Sequence, residues 1–393
     1  MWWFFVPVAY AISALVLPFP NWRSLGVVLI ATLRSREINF RERTSMLLYI
    51  ARDVGLLPVW AIFWLADEVL FSGYHRETIR DPVFIISQPR SGTTLLLRTL
   101  SEDKNTFLSV KHLEWRYPYI SFWKLIEVLG LREWFEARSY WPDTQLGRTC
   151  RKIHYHVLGN YEEFGIFLEE RFFHHYFVFR RFPFASVLNR VSGLEGLSVR
   201  ERDRMIATFR KVVQKVYFHR GNGEIFLAKE NECIEFCNAM LATFDNARVI
   251  YVCRDPTPML ESYLTMSLTC TEVKHGVDPR KLKGWHERNM EFRRLECRKF
   301  VDIASQERND LISVLLSFHS LTGNLPETIR TIYTAFGFGI SPTFKAYLDD
   351  LQAEQSTRDR GYTNLSCNEE GFEFYSDFVN TTSRKTVPLE AEA

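Results

Sequence analysis

The sequence lacks any strong excess of charge of one sign. Its 393 residues carry 49 Lys and Arg against 47 Asp and Glu, a formal net charge of +2, and no basic run forms a tail. A chain with a net charge near zero and no basic run does not produce the positive electrostatic potential that attracts nucleic acid. We therefore expect no nucleic-acid partner, and an anion site must be built locally. With 46% hydrophobic and 24% charged residues, the composition fits a globular enzyme.

Cysteine and histidine give no disulfide or metal pattern. The seven cysteines are odd in number and contain no CxxC pair, which argues against a disulfide scaffold or a zinc ribbon. Histidines occur as HYH at 154–156 and HH at 174–175, without a Cys or carboxylate cluster at ligand spacing. We interpret these histidines as packing or surface residues and predict no metal site.

Charge is also missing from the first 21 residues. A stretch of about 20 apolar residues is long enough to span a bilayer, so we predict a membrane anchor over 1–33. Interfacial or linker helices follow over 34–80. The apolar run 54–66 is too short to span at about 1.5 Å per residue, and we interpret it as an interfacial or core helix.

The sequence gives conflicting signals on membrane orientation. Arginines follow the first apolar segment and none precedes it, which favours a cytosolic catalytic domain; they are Arg23, Arg34, Arg36, Arg41 and Arg43. The sequons at Asn364 and Asn380 would accept glycans only in a secretory lumen. We predict a membrane-associated protein, and its side, cytoplasmic or ER/Golgi, stays open.

A buried strand, a tight loop and a helix start follow one another at residues 82–100. Val83–Ile86 is a short β-branched run, QPRSGTT turns the chain at 88–94, and an apolar helical run follows. Free N–H groups and hydroxyls at a helix start, beside a glycine, form a socket for phosphate. The loop is not a Walker A motif, because an arginine precedes Ser91 and no lysine follows Gly92.

A second strand and helix carry another anion signal. Ala247–Cys253 is a convincing buried strand, and Arg254 follows it directly. Asp255 suits the N-cap and Pro256 the first position of the next helix. Arg254 lies at the strand end and Ser262 about two turns into the helix, so the guanidinium and the hydroxyl can both hydrogen-bond to one phosphate.

Two further strand ends supply titratable groups. The strand predicted at Thr106–Val110 is followed by Lys111, His112 and Glu114, and the strand at 224–228 ends at Lys229. Ligands of open α/β sheets bind at the carboxyl ends of the strands. Either His112 or Glu114 can act as a general base for an acceptor hydroxyl, and we prefer Glu114.

Together, QPRSGTT and VCRDPTPMLESYLTM resemble the two nucleotide-binding motifs of sulfotransferases that use 3′-phosphoadenosine 5′-phosphosulfate (PAPS). The arginine form of the first motif is similar to the tyrosylprotein sulfotransferases and the related bacterial-type sulfotransferase-domain proteins. LAKENE around Lys229, IYTAFGFGISP at 332–342 and GYTNLSCNEEGFEFYSDF at 361–378 are also similar to that group. The likeness covers roughly residues 81–380, and we place the catalytic domain at 81–385.

This resemblance implies an α/β fold, a P-loop-like three-layer sandwich with a central parallel sheet flanked by helices. It also implies residue roles. The 5′-phosphosulfate is held by Ser91, Gly92, Thr93 and Thr94, the 3′-phosphate by Arg254 and Ser262, and the transferred group is stabilised by Arg90 and Lys229. A basic residue of the C-terminal lid corresponds to Arg358 or Arg360.

The resemblance implies a PAPS-dependent enzyme without a metal, acting on a hydroxyl acceptor. The apolar N-terminus and the eight phenylalanines of 164–184 favour a lipid, sterol or other membrane-borne alcohol as acceptor, with a carbohydrate or protein tyrosine left open. Two alternatives remain: a non-catalytic membrane-bound nucleotide-binding protein, and a P-loop kinase-like phosphotransferase. The sequence gives no indication of oligomeric state.

Overall fold

The computed structural model describes residues 10, 13, 16–17, 21–172, 180–184, 186–187, 197–306, 311–356, 363–367 and 369–385. Most of the predicted anchor before residue 21, the histidine pair at 174–175 and the lid arginines Arg358 and Arg360 lie outside this range.

A five-stranded parallel sheet lies at the centre of the fold. The strands are β1 Val83–Ser87, β2 Phe107–Ser109, β3 Ile225–Glu230, β4 Arg248–Cys253 and β5 Ile312–Ser317. Their order in the sheet is β2-β3-β1-β4-β5, and each neighbouring pair is parallel. Ile85 is in register with Lys229 on one side and with Ile250 on the other. The strand carrying the first anion motif is therefore central.

Alternate side chains of the central strands enter two different cores. Phe84 and Ile86 belong to one hydrophobic cluster, whereas Val83 and Ile85 belong to another. Because successive side chains of a strand point to opposite faces, both faces of the sheet are covered by helices. This arrangement confirms the predicted three-layer α/β fold.

The helices before β3 are α1 Trp22–Arg34, α2 Phe40–Gly55, α3 Leu57–Leu70, α4 Thr93–Leu100, α5 His112–Arg116, α6 Ile120–Val128, α7 Arg132–Glu136, α8 Gln145–Ile153, α9 Gly165–Glu169 and α10 Val199–Arg220. Those after β3 are α11 Ile234–Leu241, α12 Pro256–His275, α13 Trp285–Ser305, α14 Phe318–Gly323, α15 Leu325–Phe336, α16 Pro342–Ser356 and α17 Glu373–Lys385. Pro256 begins α12 as predicted, although the Asp255 side chain makes no capping hydrogen bond.

The N-terminal helices pack on the catalytic domain. Val28 of α1 is fully buried in a cluster that includes Leu264 and Trp285 of later helices. Leu56 has helical backbone angles and joins α2 to α3, so Phe40–Leu70 forms one helix of 31 residues that is long and apolar enough to cross a membrane. The apolar run 54–66 is thus part of a longer helix than the sequence indicated, and the domain boundaries at 33 and 80 stay predictions.

Candidate active site

A cavity of about 850 Å³ lies at the carboxyl ends of the strands. The loop after β1, Lys229 near the end of β3 and Arg254 directly after β4 all line it, as does His112 after β2. Parallel strands place their carboxyl ends at one edge of the sheet, where this class of fold binds ligands. The topology therefore brings the two anion motifs and the titratable strand ends into one site.

The loop 88–92 holds two residues with left-handed backbone angles. Arg90 has φ 66° and Gly92 has φ 84°, and α4 starts directly afterwards. Ser91 is fully buried, and its Oγ has no hydrogen-bond partner among the described residues. Thr93 and Thr94 line the cavity at the N-terminus of α4, where free N–H groups and the helix dipole favour an anion.

Arg254 and Ser262 both contact Arg90. Arg254 Nη1 donates to the Arg90 carbonyl oxygen at 2.5 Å, and its guanidinium lies 4.1 Å from the ring centre of Phe318. Ser262 Oγ accepts from Arg90 Nε at 2.9 Å. The two anion motifs therefore touch through one arginine.

Lys229 is nearly fully buried in the cavity wall. Its Nζ donates to Thr94 Oγ1 at 2.8 Å and to Glu163 Oε2 at 2.7 Å. The hydrogen bond to Thr94 places the ammonium beside the start of α4, so Lys229 and the helix N-terminus present positive charge to the same space.

His112 lines the cavity at the first position of α5 and is 1% exposed. Its Nδ1 lies 2.5 Å from Nε2 of His156, and its Nε2 has no partner among the described residues. Burial and the neighbouring His156 hold the pKa of His112 well below its ordinary value of 6.5. The imidazole is therefore neutral at physiological pH, a form that can accept a proton.

Glu114 does not line the cavity. It is fully buried and binds Arg220 at 2.9 Å and Arg132 at 3.2 Å, and it accepts the backbone N–H of Lys111. Burial works to raise its pKa, but these two arginines lower the pKa to about 2. Both carboxylate oxygens of Glu114 are therefore bound by residues that do not line the cavity, and the preference for Glu114 over His112 stays a prediction that this geometry does not favour.

Several cavity residues were not selected from the sequence. They are Tyr140, Glu163, Glu169, Lys274 and, from the HYH stretch, His154 and His156. The HYH stretch was visible, but its histidines were interpreted as packing or surface residues. Burial also holds the pKa of His154 well below 6.5 and lowers that of His156 to about 3.

His154, His156 and Glu162 place potential metal-ligand atoms within 4.8 Å of one another. Arg98 Nη2 pairs with Glu162 at 2.5 Å, so a cation would compete with an arginine already bound to the only carboxylate of this group. We assign no metal to it, and the absence of a metal stays a prediction.

A family model described as the sulfotransferase family matches residues 82–342. The chain belongs to the sulfotransferase family. The matched part of this sulfotransferase begins just before β1 and ends at Pro342, the first residue of α16, so it contains both anion motifs and the whole sheet. Family membership supports sulfotransferase activity, as the resemblance implied.

Solved structures share the fold of this sulfotransferase at low sequence identity. Sulfotransferase STF9 from Mycobacterium avium is 14% identical, with 95% of this chain and 96% of that chain covered and a TM-score of 0.67. Sulfotransferase STF1 from Mycobacterium tuberculosis H37Rv is 13% identical, with 95% and 98% covered and a TM-score of 0.61. A search of curated proteins finds no match to the sequence.

Proposed function

We propose that the protein transfers a sulfuryl group from PAPS to an acceptor hydroxyl, with His112 as the general base. The observation that carries this proposal is His112 Nε2, which has no hydrogen-bond partner in the described part of the chain and belongs to a buried, neutral imidazole in the same cavity as the loop 88–92, Lys229 and Arg254. One cavity thus offers groups for an anionic donor and a base for the acceptor.

The donor end of the cavity fits a nucleotide with two anionic groups. Ser91 does not itself line the cavity but stands between Arg90 and Gly92, which both do, and its Oγ is a buried hydroxyl without a partner among the described residues. We assign Ser91–Thr94 to the 5′-phosphosulfate and Arg254 and Ser262 to the 3′-phosphate. Phe318, over which Arg254 lies, adds an apolar aromatic wall to this end.

The proposed chemistry requires one proton transfer. His112 Nδ1–H donates to His156 Nε2 in this scheme, which leaves the lone pair of His112 Nε2 facing the cavity. The acceptor oxygen forms a bond to sulfur and loses its proton to Nε2, while the bond between sulfur and the bridging phosphate oxygen breaks. The products are a sulfate ester and adenosine 3′,5′-bisphosphate (PAP), whose bridging oxygen keeps the electron pair.

Positive groups stabilise the charge that develops during this transfer. Catalysis of such an in-line displacement depends mainly on positioning and electrostatics. Lys229 beside Thr94 and the N–H groups at the start of α4 are assigned to the leaving oxygen. Arg90 is assigned to the oxygens of the transferred sulfuryl group, although in this structure its Nε donates a hydrogen bond to Ser262.

The acceptor end of the cavity carries several polar groups. Beyond His112 its described lining includes Tyr140, His154, Glu169 and Lys274. Burial lowers the pKa of Lys274 to about 7, and the nearby positive charge of Arg181 is the second largest cause. Trp141, Ile153 and Ile166 also line the cavity. Polar groups beside an aromatic wall suit an acceptor with several hydroxyls on a carbon skeleton better than the sterol or hydrocarbon alcohol that the sequence favoured.

The proposal is tested with the full chain, donor carrying radioactive sulfate and a membrane extract separated into glycan, glycolipid, sterol and protein fractions. We expect label in one fraction as a sulfate ester, formed about 10²-fold to 10⁴-fold more slowly with His112→Asn. Formation of labelled ester by His112→Asn at the wild-type rate would remove His112 from the role of base.

The same assay separates the rival functions. A non-catalytic nucleotide-binding protein would bind PAP and label no fraction. A kinase-like phosphotransferase would turn over ATP with magnesium and leave the sulfate donor intact. Labelled sterol with an unlabelled glycan fraction would keep the sulfotransferase activity and overturn the polar acceptor.

A further inference from the structure

The helix α3 exposes an apolar stripe along one face. Val59, Ile62, Leu65 and Val69 are 42%, 67%, 42% and 75% exposed. Their spacing of three or four residues places them on one side of an α-helix. Isolated apolar residues on a surface are normal, but a contiguous stripe of large ones marks an interaction site.

The opposite face of α3 is fixed to the catalytic domain. Ala61, Trp64 and Asp67 are buried, and Asp67 pairs with the fully buried Lys215 of α10 at 3.0 Å. The Asp67 carboxylate also accepts the backbone N–H groups of Ile120 and Ser121 at 2.9 and 2.8 Å. Removing α3 from the domain would leave a buried ion pair broken, so α3 stays attached along its length.

Helix α6 packs beside α3, α7 packs on α6, and this region also exposes large apolar residues. Leu125, Val128, Leu129 and Trp134 of this region are 45%, 85%, 58% and 55% exposed. Aromatic contacts connect the elements: the ring centres of Phe63 and Phe122 are 5.6 Å apart, those of Phe122 and Phe135 5.6 Å, and those of Trp134 and Phe135 5.0 Å. We call the exposed face of Val59–Leu70 and Leu125–Trp134 the apolar face.

Exposed charges of both signs border this face, the cations Lys124 and Arg138 and the carboxylates Glu127 and Glu133. Lys124 Nζ lies 5.8 Å from the ring centre of Phe71, the residue that follows α3. The Arg138 guanidinium lies 4.6 Å from the ring centre of Trp134. Long basic side chains beside aromatic rings are suited to the boundary between lipid chains and headgroups. The chain before α1 adds 21 residues without a charged side chain. These features favour a lipid bilayer over a second protein as the occupant.

We propose that the apolar face lies in the headgroup–acyl boundary of a lipid bilayer, with α3 running along the membrane instead of across it. Length and composition would allow Phe40–Leu70 to cross a membrane. Crossing would require α3 to present its whole circumference to lipid, including Asp67, which is committed to Lys215 and to the start of α6. In an interfacial position, the exposed apolar face of α3 contacts lipid while the opposite face stays packed on the catalytic domain.

The test uses the full chain in phosphatidylcholine vesicles with a minority of phosphatidylserine. An environment-sensitive fluorophore is attached to Ile62→Cys, Val128→Cys or, as a matched exposed control, Ile312→Cys, which replaces an isoleucine that is 50% exposed in β5, at the edge of the sheet opposite β2. Each variant also carries Cys367→Ser, because the other six cysteines are buried. Vesicles contain nitroxide lipids labelled near the headgroup or at the end of the acyl chain.

We expect the probes at 62 and 128 to be quenched much more than the probe at 312, and more by the shallow than by the deep nitroxide. Equal quenching at all three positions would overturn the proposal. Stronger quenching at 62 by the deep nitroxide would show a crossing helix and also overturn it. Probes shielded from water but not quenched by lipid would identify a protein partner, which would contradict it as well.

Discussion

Arg90 and Ser262 share a hydrogen bond of 2.9 Å, although 172 residues separate them in the chain. Ser262 Oγ accepts this bond from Arg90 Nε, so its own proton is available for a phosphate oxygen. Arg254 completes the connection by donating to the Arg90 carbonyl. The proposed 5′- and 3′-phosphate sites are thus joined by one arginine.

Ser262→Ala should weaken PAP binding by about 10-fold to 100-fold, because a hydrogen bond to a charged group contributes about 1.5–3 kcal/mol. Adenosine 5′-phosphosulfate, which lacks the 3′-phosphate, should bind both proteins equally. Titration calorimetry measures both ligands. Ser267→Ala, a buried serine of the same helix that does not line the cavity, should bind PAP normally. Equal weakening of both ligands would contradict the assignment of Ser262 to the 3′-phosphate.

Lys229→Met should lower turnover by about 10²-fold to 10³-fold, the usual loss when a preorganised charge at the reacting group is removed. It should also reduce stability, because the ammonium that neutralises Glu163 is lost. In Lys229→Met with Glu163→Gln, urea unfolding should show recovered stability, whereas turnover should stay low. Recovery of both together would show that Lys229 serves only the fold.

The sequence predicted the parts of the site that depend on local signals. The prediction placed β1, β4 and the loops after them correctly. Their signals are local, since β-branched runs, Pro256 and Gly92 determine the conformation of only a few neighbouring residues. The ion pair that encloses Glu114 could not be predicted from local signals, because Arg220, its partner, is 106 residues away. The long helix through Leu56 was underestimated because only the uncharged run 54–66 was counted, whereas the helix begins at Phe40 and Pro58 is tolerated in the first turn of α3.

Gly92→Ala should destabilise the protein by about 1–3 kcal/mol through backbone strain and also weaken PAP binding. A Cβ at Gly92 would meet Leu321 and Phe318 at 2.9 and 3.0 Å, so the loop must move. Gly130→Ala is a matched control, since Gly130 has φ +67° with nothing within 4 Å of the added atom. It should lose stability in urea and bind PAP normally. Unchanged PAP binding by Gly92→Ala would refute the close fit of the loop to the donor.

His112→Asn should lower turnover by about 10²-fold to 10⁴-fold, the range expected for loss of a general base. His219→Asn is a suitable control, because His219 pairs with Glu127 and does not line the cavity. Since the pKa of His112 lies well below 6.5, wild-type kcat/KM should persist as the pH falls through 6.5. A decline with a midpoint near 6.5 would point to a different base.

Glu114→Gln should reduce stability chiefly at neutral pH. The folded-state pKa of Glu114 is about 2, below its ordinary value of 4.5, so its carboxylate stabilises the fold above pH 4.5 and loses that contribution as the pH falls towards 2. At about 1.4 kcal/mol per pKa unit, the wild type should exceed the variant by about 3 kcal/mol at pH 7.

Urea unfolding at pH 7, 4.5 and 3 should therefore show the wild-type advantage over Glu114→Gln shrinking with acidity. Glu133→Gln, which changes an exposed glutamate of α7, should show no such trend. Folded Glu114→Gln should keep turnover within about tenfold of wild type, because this carboxylate positions the start of α5 and does not touch the acceptor; a loss as large as that of His112→Asn would return Glu114 to the role of base.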